Sequence, residues 1–361
     1  MFIKHIQLMN YRNYSQLDIS LSENVNVFMG DNAQGKTNIL EAMYYCGFAR
    51  SHRTNKDKEL VNWKCDKALI SLFVKRARID KKINIAIFKD GKKAINVNSI
   101  KINKVSELIG AFNVVMFSPE NLKIVKESPG VRRKFIDMEL SQLDPKYYYN
   151  LVQYNKVLNE RNSVLKNKNI EESMLDIYDF QLAAFGKYII QERQKYLQKL
   201  NIHGSKIHKD ITSNREDIVF KYVSTISLSE DIEEALIKAL KEHRQKDRER
   251  GITSQGPHRD DFLIFINGID AKSYGSQGQQ RTSVLTMKFA SLRIIKEQTG
   301  EFPVLLLDDV LSELDFKRKR YVLSSIKDIQ TIITCPGIED IYEYLDDKSK
   351  VFTVRDGTIV L

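Results

Sequence analysis

Few features of this chain would suit it to an oxidising or membrane setting. Its 361 residues hold three cysteines, Cys46, Cys65 and Cys335, far apart and without a C-x-x-C pair. That spacing argues against a disulfide scaffold and against a thiolate zinc site. No apolar run approaches the ~18 residues that a membrane span requires. The opening MFIKHIQLMNYRNY lacks the continuous apolar core of a secretory signal. A cytoplasmic location and no membrane partner are therefore expected. The single tryptophan, Trp63, reads as a packing residue rather than a stacking platform. No aromatic pattern interleaves the basic runs, which argues against base-specific reading of a nucleic acid. Internal repeats and low-complexity tracts are also missing.

What is present suits a folded protein. Hydrophobic residues make up 42% of the chain, with 17 Phe and 16 Tyr to fill an interior. The length fits one large or two ordinary domains, since cores stop growing near ~250–300 residues. Fifty-seven Lys and Arg against 47 Asp and Glu leave a net charge of +10. That surplus favours a polyanionic partner without choosing between nucleic acid, acidic membrane and acidic protein, and a Lys-rich solvated surface would look the same.

Short β-rich runs occupy the front of the chain: FIKHIQL, VNVFMG, KALISLFVK, KINIAIF and FNVVMF. From about residue 118 helix-start signals take over. Ser118-Pro119, Ser128-Pro129 and Asp144-Pro145 each set a capping residue before Pro. Tyr147, Leu151, Tyr154, Leu158 and Leu165 share one helical face, and Tyr178, Leu182, Phe185, Ile189, Tyr196 and Leu200 another. They predict two helices of ~20–25 residues folded as a hairpin. After Gly256 strand signals return in DDFLIFING, PVLLLDD, QTIIT, KVFTVRDG and TIVL. The expected architecture is a discontinuous α/β domain from residues 1–117 and 254–361, with a mostly helical lobe, 118–253, inserted in it.

The octet GDNAQGKT at 30–37 matches G-x-x-x-x-G-K-[ST], follows the apolar run VNVFM and precedes a helical stretch. Gly30 and Gly35 let the backbone of Asp31, Asn32, Ala33 and Gln34 curl, so that several N–H groups make an anion nest at a helix start. Lys36 would then reach the β- and γ-phosphates, and the Thr37 hydroxyl would ligate Mg²⁺. ATP with Mg²⁺ is the expected cofactor. In FPVLLLDDVLSELD the apolar run Val304 to Leu307 predicts a buried parallel strand with Asp308 and Asp309 at its carboxyl end. Asp308 is the expected Mg²⁺ partner, directly or through water, and Asp309 the acceptor of a proton from attacking water.

A second glycine-flanked stretch, YGSQGQQRT at 274–282, opens another helix. Ser276, Gln277, Gly278, Gln279 and Gln280 would form an anion site with no phosphate of its own in the same chain. Two chains facing head to tail would let this site cap the γ-phosphate held by the partner. The simpler reading of the same residues is a loop with Ser276 as an ordinary N-cap.

Together GDNAQGKTN, the S-x-G-Q core of GSQGQQR and LLLDDVLSELD resemble the ABC-type ATPases of chromosome maintenance, the group that includes the SMC proteins. GFARSHRT, VVMFSPENLKIVKESPGVRRKFID, GPHRDDFLIFING and YGSQGQQRTSVLTMKFA are similar to stretches of the RecF family of bacterial DNA repair proteins. The resemblance runs from LMNYRNY to the carboxyl end. It implies an ABC head with a short helical lobe, an ATP-dependent homodimer, and slow hydrolysis. It also implies binding to DNA at gaps or junctions and work with RecO and RecR to load RecA. By the same resemblance Asn38 joins the phosphate loop, Ser276–Gln280 are the signature acting in trans, and Ser312 and Asp315 belong to the interface D-loop. Where relatives often carry Glu, this chain has Asp309, one methylene shorter. Thr334 stands where many carry a switch His, and no Gln occupies 115–120, leaving Ser118 or Glu120 as substitutes.

Arg50, His52 and Arg53 form a basic cluster that reaches nucleotide or DNA, or else a solvated turn. His258, Arg259, Asp260 and Asp261 would link the signature helix to the lobe by ion pairs. The runs VKRARIDKK, KDGKK and KINK would make a backbone-contacting stripe if they share a face. Among rivals, an ABC transporter subunit would carry its signature nearer the phosphate loop, and a full SMC protein would need long heptad segments. A regulated nuclease would need an acidic metal domain after 315. A monomeric small-molecule P-loop kinase is the remaining enzyme alternative.

Overall fold

The computed structural model describes residues 1–167, 172–228, 231–339 and 341–360. Its contacts divide it into two compact units, Met1–Asn121 with Leu285–Leu361, and Leu122–Val284.

In the first unit the chain runs through β1 (Phe2–Tyr11), β2 (Tyr14–Ser20), β3 (Val25–Met29) and helix α1 (Lys36–Phe48). It continues through β4 (Lys67–Lys75), β5 (Lys81–Phe88), β6 (Lys93–Val97), β7 (Ile100–Ile102) and β8 (Val114–Phe117). An antiparallel sheet has the order β2-β1-β4-β5-β6-β7. Alternate residues of its strands, such as Ala68, Ile70, Leu72 and Val74, are buried, as a sheet with one covered face requires.

The second unit holds α2 (Lys123–Lys126), α3 (Pro129–Leu143), α4 (Pro145–Leu165), α5 (Glu172–Thr212) and β9 (Ile218–Val223). It goes on with α6 (Ile232–Glu242), α7 (Arg244–Arg250), β10 (Asp261–Ile266), β11 (Ile269–Asp270) and α8 (Ala271–Tyr274). Helix α9 (Gln277–Thr299) begins in this unit. The chain ends in the first unit with β12 (Val304–Asp308), α10 (Phe316–Ser325), β13 (Thr331–Cys335), β14 (Lys350–Arg355) and β15 (Thr358–Val360).

The second sheet of the first unit, β15-β14-β3-β13-β12-β8, positions the site. All neighbours are parallel except the β14–β15 pair. β12 and β13 are buried along their whole length, which is why they read as unbroken apolar runs rather than alternating ones. The carboxyl ends of β3, β13, β12 and β8 therefore share one edge, where α/β sheets bind ligands.

In the second unit α4 and α5 pack along one another, with Tyr147, Tyr154, Leu158, Leu165, Leu182, Ile189, Tyr196 and Leu200 buried. Pro129 and Pro145 open α3 and α4, and the Asp144 side chain accepts from Lys146 N. Pro119 opens only a 3-10 turn leading into α2.

Three expectations need correction. α5 runs for 41 residues, about twice the expected length, because its buried face continues past Leu200 through Gly204, Ile207 and Ile211. The lobe contains a three-stranded sheet, β11-β10-β9, whose β9 pairs antiparallel with β10. That pairing draws residues beyond 254 into the second unit, so the partition falls at Val284 rather than at 253. Finally, Trp63 does not pack; it is 91% exposed.

A buried ionic network crosses the second unit. Arg161, fully buried, donates to Asp179 at 2.7 Å, Asp247 at 2.9 Å and Thr253 at 2.9 Å. Arg244 closes on the other oxygen of Asp179.

Candidate nucleotide site

The phosphate loop leaves β3 and enters α1. Gly30 and Gly35 have φ of 149° and 114°, a region that only glycine occupies freely. A Cβ at Gly30 would press on the Val354 carbonyl, and one at Gly35 would stand 2.6 Å from Asn13 Nδ2. Gly35 is the N-cap of α1 and makes no side-chain cap, so no cap side chain takes the N–H groups of the first turn. That is the donor array an anion needs. Lys36, largely buried, donates to the carbonyls of Gly30 and, at 2.9 Å, Asp31, folding back over the loop.

The loop is tied at both sides. Asn13 Nδ2, in the β1–β2 turn, donates to Gln34 O at 3.0 Å, and Tyr14 OH, at the start of β2, to Gly35 O at 3.2 Å. From the β14–β15 turn, Gly357 N donates to Gln34 O at 3.0 Å and Asp356 N to Gln34 Oε1 at 2.7 Å. Asn38 Nδ2 donates to Asn13 Oδ1 at 2.8 Å.

At the same sheet edge Thr37 Oγ1 donates to Asp308 Oδ1 at 2.8 Å. Thr334 Oγ1, at the end of β13, donates to the same oxygen at 2.9 Å and accepts the Asp309 N–H at 2.9 Å. Asp309 has φ of 52°, a left-handed conformation rare outside glycine, fixed on both flanks by hydrogen bonds. One is the Thr334 contact, and the other runs from the Ser312 hydroxyl to Asp309 O at 2.9 Å. The structure thus brings Gly30–Thr37, Asp308, Asp309 and Ser312 into one region. Asp315, further along, caps α10 by accepting from Arg318 N at 3.0 Å.

Behind α1 lies a cluster that sequence reading did not assemble. Arg12 clamps Glu41 with two bonds, 2.9 and 2.8 Å, and Ser51 Oγ adds a third at 2.5 Å. Burial alone would raise the Glu41 carboxyl, but the bonds from Arg12 and Ser51 outweigh it and hold it below the usual range. Arg53 donates to Asn38 Oδ1 at 2.9 Å, which places it beside the phosphate loop. His52 stands edge-on to Tyr44 at 5.3 Å, and burial pushes its imidazole down against the opposing pull of Glu41 and Asp308. Of the two proposed substitutes for the missing Gln, Ser118 is buried and Glu120 exposed, both just beyond β8.

In the second unit Ser276 stands before α9. Its Oγ accepts Gln279 N at 3.2 Å while Gln279 Oε1 accepts Ser276 N at 2.9 Å, a reciprocal capping box. Gln279 Nε2 also donates to Glu216 at 2.9 Å, and Gln280 Nε2 to Ala271 O at 3.1 Å. Gln277 is exposed and Gly278 half-buried. The segment 257–261 is a knot of bonds. Arg132 takes both oxygens of Asp261 at 2.7 and 2.8 Å, and Tyr222 donates to Asp260 at 2.6 Å. His258 bridges Tyr154 OH at 2.7 Å and Thr253 O at 3.0 Å, and burial lowers its imidazole to about 4. Arg259 bonds Thr253 O.

The basic runs contribute fewer free charges than their composition suggests. Lys75 pairs with Asp80, Arg76 with Glu301, Lys92 with Asp90 and Lys93 with Asp57.

Comparison with known proteins agrees with this arrangement. The family model described as the RecF/RecN/SMC N terminal domain matches residues 2–360. The DNA replication and repair protein RecF of Clostridium perfringens strain SM101 is 68% identical over 359 residues, 99% of each chain. That of Clostridium tetani is 58% identical, over the full length of both. A solved structure of the recombination mediator protein RecF with ATP, in the RecFOR pathway, superposes with a TM-score of 0.93. It is 38% identical and is covered over 97% of its length by 99% of this chain. The Smc head domain of Pyrococcus furiosus shares the fold at 16% identity and a TM-score of 0.57. With its discontinuous ABC head and inserted helix-rich lobe, the chain belongs to the RecF/RecN/SMC N-terminal domain family, among the RecF proteins.

Proposed function

We propose that this chain is an ATP-dependent DNA-binding protein of recombinational repair, a weak, DNA-associated ATPase that dimerises on ATP. It would bind DNA at gaps or junctions and help RecO and RecR load RecA. The observation that carries the reading is the 2.8 Å contact between Thr37 and Asp308 beneath an uncapped phosphate loop.

The residues suit Mg²⁺-ATP. Thr37 Oγ1 and Asp308 Oδ1 are hard oxygen donors already side by side, and Mg²⁺ favours few protein oxygens with the rest from water and phosphate. Among the described residues no cluster of three or more His, Cys, Asp or Glu offers a fuller cage. When bound, the ion neutralises charge on the phosphate oxygens. The loop N–H groups and Lys36 hold and orient the triphosphate. Asp309, locked by Thr334 and Ser312, takes the proton from the attacking water. Its short side chain favours slow turnover, which suits a timer rather than a motor.

Ser276 of one chain would seal the γ-phosphate held by a second copy. Its oxygen accepts Gln279 N–H, and the hydroxyl proton remains to donate. Ser312 and Asp315 would line the same interface. Two such contacts around a two-fold axis close the dimer.

Sizing by light scattering without nucleotide, with ATP and with ADP tests this directly. ATP alone should produce the dimer. Ser276→Arg should bind ATP as the parent does yet stay monomeric; a normal ATP-induced dimer from that variant refutes the assignment in trans.

A further inference from the structure

Trp63 is the only tryptophan in the chain, and it is 91% exposed. An exposed indole offers a large flat apolar face with one N–H donor, a surface suited to stacking. The turn is firmly built. Asn62 N donates to Asn10 O at 2.8 Å and Asn62 Nδ2 to Arg12 O at 2.8 Å. Asn62 Oδ1 accepts Lys64 N at 3.2 Å, and Asn62 O accepts Cys65 N at 2.9 Å. The indole is thus presented on a backbone that has already lost its freedom, which lowers the entropic cost of binding.

Its surroundings are cationic. Lys89 Nζ donates to Trp63 O at 3.3 Å, and Lys89 N to Asp66 O at 2.9 Å, joining this turn to the β5–β6 turn. Lys64, Lys67, Lys89 and Lys92 are all exposed, against Asp66 and Asp90. Phe88, 37% exposed, pairs with Lys67 across the β4–β5 ladder. An exposed indole set among lysines has the chemistry of a single-stranded nucleic-acid contact. The ring stacks on an unpaired base while the ammonium groups meet the flanking phosphates.

We infer that Trp63, with Lys64, Lys67 and Lys89, is a stacking contact for unpaired bases of single-stranded DNA. This rests on the DNA-binding reading above and assigns residues to it. A duplex would offer the indole only its closed base stack, so the site selects an unpaired stretch.

The chain carries its own probe, because Trp63 is its only indole. Titration of the full-length protein with oligo(dT), in ATP, should quench its tryptophan emission in step with the anisotropy of a labelled strand. Trp63→Ala should weaken that strand about tenfold, leaving ATP affinity and ATP-dependent dimerisation unchanged. Trp63→Phe should keep most of the affinity. Trp63→Lys separates stacking from charge: it should bind as poorly as Trp63→Ala. The inference is overturned if anisotropy reports binding while the emission stays fixed, or if Trp63→Lys binds as tightly as the parent. It is likewise overturned if the emission responds to acidic vesicles or to a protein partner but not to DNA. If no DNA binds at all, by either signal, the DNA-binding reading itself fails.

Discussion

The Thr37 hydroxyl and the Asp308 carboxylate meet at 2.8 Å although 271 positions of sequence separate them. The contact exists because β3 and β12 flank β13 in one parallel sheet and end at the same edge. Everything at the site depends on that register.

Lys36 is the first test of it. In the structure its ammonium bonds the carbonyls of Gly30 and Asp31 and so closes the loop. Lys36→Met should weaken ATP by about 100-fold, the worth of a few charge-assisted hydrogen bonds. Titration with a fluorescent ATP analogue measures it, and an unchanged affinity would count against the phosphate loop.

Thr334, near the end of β13, bridges Asp308 and Asp309. Thr334→Val keeps the shape and removes both bonds. ATP affinity should hold within a few-fold while hydrolysis falls by about tenfold or more, as Asp309 loses its alignment. Asp309→Asn should go further, binding ATP, hydrolysing almost none and accumulating as dimer. Steady-state phosphate release with parallel sizing reads both.

In the second unit, Arg161 is buried between Asp179 and Asp247. Among the described residues, Arg161→Met would leave the Asp247 carboxylate with only the Ser254 N–H and should cost about 3–5 kcal/mol. Urea unfolding followed by circular dichroism shows it as a lower midpoint.

His258 gives a pH signature. Burial holds its folded-state value at about 4, below the ordinary 6.5. Between those values the unfolded chain binds more protons, so stability is complete above 6.5 and is lost as pH falls toward 4. The slope should be roughly 1 kcal/mol per pH unit. His258→Gln should flatten that part of the stability–pH curve; an unchanged slope would assign it to other groups.

Residues whose chemistry is local were legible in the sequence. The phosphate loop needs glycines at fixed spacing, and β12 needs an unbroken apolar run before its aspartates. The proline-marked starts of α3 and α4 announce themselves in the same way. Other features depend on partners brought together by folding. Arg12 has no visible purpose until Glu41 of α1 arrives beside it. β9 alternates as a strand should, yet its neighbours in sequence are helical, and only pairing with β10 settles it. Gln279 reads as part of a signature, while its bond to Glu216 comes from a distant turn. Trp63 misled for a different reason. Composition says tryptophan belongs inside, and nothing local says that this turn faces water.

The tethers of Gln34 bear on biosynthesis. Its carbonyl and side chain are gripped by Gly357 and Asp356, 322 positions or more downstream. A nascent polypeptide emerging from the ribosome would therefore display the GKT motif long before both sides of its loop could be tied. Until residues near 356 are translated, the loop would have only its upstream tethers, from Asn13 and Tyr14.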